Sequence, residues 1–308
     1  MQRVLRKIIM FSALSLFAGV VIAQSGDDVK TPPDDVTLVD IPTSAAHKIT
    51  VERRGKIVLI GINRPDIQNR LDPQAYLALA KAYYDYDHDP SLRAAVLFGH
   101  GDNFSQGLDV EGFKAVASSG GPTLGAGLID PLGKKMPYLT KPLIVAVHGD
   151  TWNMAHELFL VGDIRVAANN TDFGQDENTH GRFPGGGSTV RFVREAGWAN
   201  AMRYILTGDH WTAREAYRMG TVQEIPDPQS ALDKAIELAN RIAANGPLGI
   251  KASLASAHRV IDPVHRNWMR NAQRCISQTT SRRGARQRLK GDYLSITAIK
   301  TVAQGATC

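Results

Sequence analysis

Two cysteines in 308 residues, Cys275 and Cys308, are too few for a disulfide scaffold and do not have metal-ligand spacing. The nine histidines are scattered with no His-x-x-x-His pair, so no metal site is expected. No Gly-x-Gly-x-x-Gly follows a strand, and no Walker loop is present. The nearest stretch, Gly185-Gly186-Gly187-Ser188-Thr189, lacks the lysine that a phosphate loop needs. It reads instead as a flexible turn feeding a helix capped by Ser188. A Gly-x-Ser-x-Gly elbow is also missing, which removes the commonest serine-hydrolase signature. Aromatics make up only 7% and do not interleave with a basic stripe. Of the net charge of +6, three charges (Arg3, Arg6 and Lys7) sit in the first 23 residues, leaving +3 on the rest. Nucleic acid is therefore not an expected partner. What remains is an ordinary globular profile, 43% hydrophobic and 21% charged, long enough for one large domain or a domain with an appendage.

The N-terminus reads as a secretory signal over residues 1–23: a basic start, an apolar run from Ile8 to Ala23, and the small-residue site Val21-Ile22-Ala23. The alternative is an uncleaved membrane anchor over residues 8–23, although that run is short of the roughly 20 apolar residues a span requires. Either way the body is expected outside the cytoplasm, periplasmic or secreted. Residues 24–46, with Pro32, Pro33, Pro42 and five aspartates, read as a linker. Cys275 and Cys308 could pair in an oxidising compartment, but Cys308 is the last residue and reads as a loose terminal thiol.

From His47 short apolar strands alternate with helical stretches. Strands are expected at 49–53 and 57–62 around the turn Arg54-Gly55-Lys56, then at 94–98, 143–147 and 164–167. Helices are expected at 73–88, 152–161, 188–195, 199–206, 212–219 and 229–244, with Leu77, Ala80, Lys81 and Tyr84 striping the first. After Pro247 the chain turns wholly helical. The pattern is α/β: a core over 47–246 and a C-terminal helical region over 247–308.

Three segments narrow this further: Asn63-Arg64-Pro65 through Asn69-Arg70-Leu71-Asp72; Asn103-Phe104-Ser105-Gln106-Gly107-Leu108-Asp109; and Lys141-Pro142 through His148-Gly149, Glu157-Leu158, Gly162-Asp163, Phe173 to Glu177, and Pro184 to Gly187. In this order and spacing the chain resembles the crotonase superfamily, the enoyl-CoA hydratases and isomerases. The resemblance covers about residues 47 to 260. It implies a crotonase-like spiral of β-β-α turns, closed by C-terminal helices that assemble homotrimers or hexamers.

The shared chemistry of that family is stabilisation of an enolate, usually of an acyl-CoA thioester, by two backbone N–H groups. By resemblance the donors here are Gln106 and Met154, the latter near the start of a helix, where unpaired N–H groups suit an anion. Glu157 and Glu177 stand where family hydratases keep their two catalytic glutamates, one to activate water and one to protonate the α-carbon. Asn69, Leu71, Gly107, Leu108, Asp109, Pro184 and Gly185 fall in the segments expected around the substrate. No resident cofactor is implied, and coenzyme A enters as part of the substrate. The family usually has a glycine run where Asn153-Met154-Ala155 stands, Gln106 replaces a small residue, and His156 is unusual beside a catalytic glutamate. Arg282, Arg283, Arg286, Arg288 and Lys290 are either a solvated helix face or a grip on the CoA nucleotide. The expected activity is hydration of a 2-enoyl thioester. Alternatives are isomerisation, hydrolysis or carbon–carbon cleavage on a non-CoA carbonyl compound, or a non-catalytic secreted binding protein.

Overall fold

The computed structural model of the chain describes residues 47–117 and 122–259. The signal and linker segments, both cysteines and the cationic cluster at 282–290 lie outside the described residues.

A five-stranded sheet has the order β1-β2-β3-β4-β6, formed by β1 (Ile49–Arg54), β2 (Ile57–Ile62), β3 (Ala94–Gly99), β4 (Leu143–Val147) and β6 (Ile164–Ala167). β1 and β2 form the expected antiparallel hairpin, and the remaining pairs are parallel. Strands β2 to β4 read as nearly unbroken apolar runs because both of their faces are covered. Their side chains alternate between two cores. Val58, Ile60, Leu97, Val145 and Val147 face the larger one, while Ile57, Leu59, Val96, Ile144 and Ala146 face the other. The second face is covered by α7 (Ala231–Ala244). Its alanines at 231, 235, 239 and 243 recur every fourth residue, so the helix backbone lies close to the sheet.

The larger core holds α1 (Pro73–His88), whose bounds are those read from the sequence. Asp72 caps it by accepting a hydrogen bond from Ala75 N–H. Of the expected stripe Ala80 is fully buried, together with Leu79, Tyr83 and Tyr86, whereas Leu77, Lys81 and Tyr84 are half-buried. This helix is apolar over much of its circumference, so periodicity locates its inner face poorly.

A second sheet, β5 (Asp150–Trp152), β7 (Asp172–Gly174) and β8 (Trp211–Thr212), has the order β5-β7-β8. Strands of two or three residues carry no alternation that sequence could reveal. Consequently the helix expected from Trp152 is in fact strand β5 followed by a shorter α3 (Met154–Phe159). Also unforeseen was α2 (Val110–Ala117). Three further helices, α4 (Ser188–Ala196), α5 (Trp198–Thr207) and α6 (Ala213–Arg218), lie close to the bounds read from the sequence. The described part of the C-terminal region is a helix over 247–259. Ile250 and Leu254 are half-buried in it, and Leu248 is exposed.

Candidate active site

The site begins at a strained corner. Strand β5 ends at Trp152, and Asn153 turns the chain into α3 with φ 55° and ψ −118°, a conformation normally left to glycine. Two hydrogen bonds hold it there. Asn153 N–H donates to Gly174 O at 2.8 Å, and its Oδ1 accepts from Asp176 N–H at 2.9 Å. The asparagine thus fits a glycine position and ties the start of α3 to the segment following β7. Strain of this kind costs about 1–3 kcal/mol. Asn153→Gly loses the Asp176 bond but relieves the strain, so its stability should stay within about 1 kcal/mol of wild type. Asn153→Ala loses the bond and keeps the strain, and should be at least about 1 kcal/mol less stable than the glycine variant. Equal unfolding midpoints for the two in denaturant would remove the strain from the account.

Met154 N–H, the first of α3, makes no hydrogen bond among the described residues. Beside it lies Gly107, at φ 88°, packed so closely that a Cβ would stand 2.7 Å from Trp152 O and 3.2 Å from Met154 N. That closeness is why a glycine is needed here. The expected donor Gln106 is already engaged: its N–H donates to Gln68 O at 3.0 Å. Its side chain bonds Arg70 and, at 2.7 Å, Asp150. Gly107 N–H likewise donates to Ser105 Oγ at 3.0 Å. Leu108 N–H makes no hydrogen bond among the described residues. Leu71 pairs around Leu108, donating to Gly107 O at 2.8 Å and accepting from Asp109 N–H at 2.9 Å, and so fixes that peptide. Two unengaged N–H groups, Leu108 and Met154, therefore flank Gly107. Gln106 is corrected to a brace.

One turn into α3, Glu157 is buried at 3% exposure. Its Oε1 accepts from Gly186 N–H at 2.6 Å and Ser188 N–H at 3.2 Å. Burial pushes its pKa up; the Ser188 and Gly186 N–H groups and the nearby Lys134 charge oppose the shift. Ser188, expected as a side-chain cap, makes no such cap. Gly187 stands at the N-cap position of α4, and it is the Ser188 backbone that reaches Glu157. Arg191, also on α4, is buried at 7% exposure. It donates to Gly186 O at 3.1 Å, Leu132 O at 2.7 Å and Gly133 O at 3.3 Å, and burial lowers its pKa to about 10. It remains a cation and holds the loop that holds Glu157. A Cβ on Gly186 would overlap Glu157 Oε2. Gly186→Ala should therefore displace the carboxylate and lower turnover about a hundredfold, with the fold intact by circular dichroism. Wild-type turnover in that variant would show that Glu157 need not sit where it does.

Glu177 opens a short 3-10 turn after β7 and is 9% exposed. Gln175 Nε2 donates to both of its oxygens, at 2.9 and 2.8 Å. Burial raises the Glu177 pKa to about 7, reinforced by repulsion from Glu157 and opposed by the Gln175 bond. Gln175 is held in turn by His156, whose Nδ1 lies 2.6 Å from Gln175 Oε1.

The other expected site residues divide. Asn69 is fully buried and spends its amide inside the loops, with Oδ1 accepting from Arg64 N–H at 2.7 Å and Nδ2 donating to His100 O and Asn103 O. Leu71 is core. Asp109 accepts from Gly112 N–H at 3.1 Å in the first turn of α2 and pairs with Arg64. Pro184 is buried and Gly185 exposed; it is the next residue, Gly186, that touches Glu157. Sequence reading passed over Gln175 and Arg191. Gln175 sits two residues before Glu177, which was the only available hint. Nothing marked Arg191 as buried. Among the described residues no three of His, Cys, Asp and Glu gather as metal ligands.

A mixed sheet backed by helices carries two buried carboxylates on separate elements and two backbone donors that make no hydrogen bond among the described residues, an arrangement suited to acid–base chemistry. The sequence profile of the enoyl-CoA hydratase/isomerase family matches residues 52–293. The chain belongs to that family. It is 38% identical over 211 residues to the enoyl-CoA hydratase EchA19 of Mycobacterium tuberculosis, covering 67% of this chain and 78% of that protein. A short-chain-enoyl-CoA hydratase of Clostridium acetobutylicum is 31% identical over 214 residues, covering 69% and 82%. Among solved structures, an enoyl-CoA hydratase of Mycobacterium tuberculosis superposes with TM-score 0.62 at 36% identity, covering 69% of this chain and 83% of that one. A carnitinyl-CoA dehydratase of Mycobacterium avium does so with TM-score 0.67 at 29% identity, covering 76% and 93%. The crotonase-like α/β fold expected from the sequence is the fold found.

Proposed function

We propose that this enzyme adds water across the double bond of a 2-enoyl-CoA thioester. The observation that carries the reading is the pair of buried, mutually repelling glutamates on separate elements, Glu157 and Glu177, beside two unengaged backbone donors. Hydratases at 38% and 31% identity support it. The thioester oxygen accepts from Leu108 and Met154 N–H. Glu157, stabilised as an anion by Gly186 and Ser188 N–H, takes a proton from water as the water oxygen bonds to the β-carbon. The π pair moves toward the carbonyl, and the two N–H groups stabilise the enolate oxygen. Glu177, with a pKa of about 7, supplies a proton to the α-carbon. The pair begins and ends with one proton between its members, and exchange with solvent resets which carboxylate holds it.

The test is the purified protein with crotonyl-CoA, following loss of the conjugated thioester absorbance, beside calorimetric titration with free CoA. A fall in absorbance with formation of the 3-hydroxy thioester is expected. No turnover of short or long 2-enoyl-CoA esters would overturn the reading. We also propose export from the cytoplasm, resting on residues 1–23, and a homotrimeric or hexameric assembly, resting on the C-terminal helical pattern. Cell fractionation and sedimentation of the mature chain check these.

A further inference from the structure

His156 lies next to Glu157 in α3, but it faces the other way and is fully buried. Phe192 and Trp211 pack edge-on to its ring at centroid separations of 5.0 Å each, and Phe173 does so at 5.8 Å. Its Nδ1 is 2.6 Å from Gln175 Oε1, while its Nε2 is buried with no hydrogen-bond partner among the described residues. We propose that His156, held neutral with the proton on Nδ1, is a positioning residue that fixes the Gln175 amide and thereby sets the proton affinity of Glu177. The proposal rests on the hydratase reading of Glu177.

The direction of each bond follows from valence. When Glu177 has lost its proton its carboxylate only accepts, so in that form the Gln175 group within 2.9 Å of both oxygens is the amide nitrogen. The amide oxygen then faces His156, and Nδ1 must donate. Nε2 is left with a lone pair. The Trp211 indole nitrogen, on a ring packed against His156, is also without a partner among the described residues and is a donor. Among the described residues Nε2 meets no acceptor, so the opposite tautomer and the charged ring both carry an unmet N–H. Burial lowers the ring pKa to about 4, and Arg165 adds to this. If the amide flipped, its oxygen would face the Glu177 carboxylate and Nδ1 would have to accept, forcing the proton onto Nε2. The aromatic cage opposes that flip. His156 therefore keeps the amide donating to Glu177 and favours the ionised form against the burial, Glu157 and Asp176 that raise its pKa.

Two measurements test this. In the wild-type free protein, nitrogen NMR should show His156 protonated at Nδ1 and bare at Nε2, unchanged from about pH 5.5 to 8.5. Protonation at Nε2, or titration of the ring in that range, overturns the proposal. In steady-state kinetics, His156→Phe fills the cage but cannot donate. The kcat/KM limb assigned to Glu177 should move upward by about half a pH unit or more, with kcat down about tenfold and KM little changed. His156→Asn places an N–H where Nδ1 stands and should return the limb to its wild-type position. A packing role alone predicts no shift in either variant, and an unmoved limb in His156→Phe overturns the proposal. If a variant fails to fold, the wild-type NMR result still decides. If wild type turns over no enoyl thioester, the hydratase reading fails while the tautomer measurement stands.

Discussion

Glu177→Gln should lower the turnover of crotonyl-CoA by at least about a hundredfold, because a side chain that delivers a proton in the transition state typically contributes that much. The same variant should be more stable than wild type at about pH 8. The sign follows from the folded-state pKa of about 7, raised above the ordinary glutamate value of 4.5 by burial and by Glu157. The folded state binds the proton more tightly than the unfolded chain does. That preference is fully present below the unfolded pKa and lost as pH rises through about 7, where an ionised Glu177 destabilises the fold. A neutral amide removes the loss. Activity falling while thermal stability at alkaline pH rises identifies a group kept for chemistry rather than for folding. Glu157→Gln should cost a similar factor, and the double variant should be far from additive, since both side chains act on one transition state. A variant at either position that hydrates at the wild-type rate removes that residue from the mechanism.

Arg191→Met should carry the largest stability loss, about 3 kcal/mol or more by denaturant unfolding. The side chain is buried and donates to the carbonyls of Leu132, Gly133 and Gly186. A methionine of similar length fills the volume but leaves those acceptors without that donor, at about 1–3 kcal/mol for each group that water cannot reach. It also removes the cation whose attraction acts on Glu157. The loop from Gly186 to Ser188, which donates both N–H groups to that carboxylate, loses its anchor, so turnover should fall together with stability. Stability within about 0.5 kcal/mol of wild type would mean that solvent replaces the guanidinium, and that the burial of Arg191 is not maintained in solution.

The central strands and α1 were legible in the sequence because their signals are local. Ile57 to Ile62, Ala94 to Phe98 and Leu143 to Val147 are apolar runs of strand length, and Pro73 suits the first turn of a helix. Both glutamates were legible through their motif context alone. Tertiary structure decided what each group does. Gln106 and Leu108 carry identical N–H groups, and only the pairing of the loop with Gln68 and Leu71 engages one and leaves the other unengaged. Asn153 adopts a glycine conformation because Gly174 and Asp176, brought alongside by β7, supply the hydrogen bonds that hold it. His156 is adjacent in sequence to a glutamate of the site yet faces an aromatic cage, since successive residues on a helix point about 100° apart. Glu157 and Glu177 are ordinary carboxylates in the chain. Their raised pKa values arise from burial and, at Glu177, from repulsion by Glu157, against the opposing N–H groups aimed at them, none of which a linear sequence specifies.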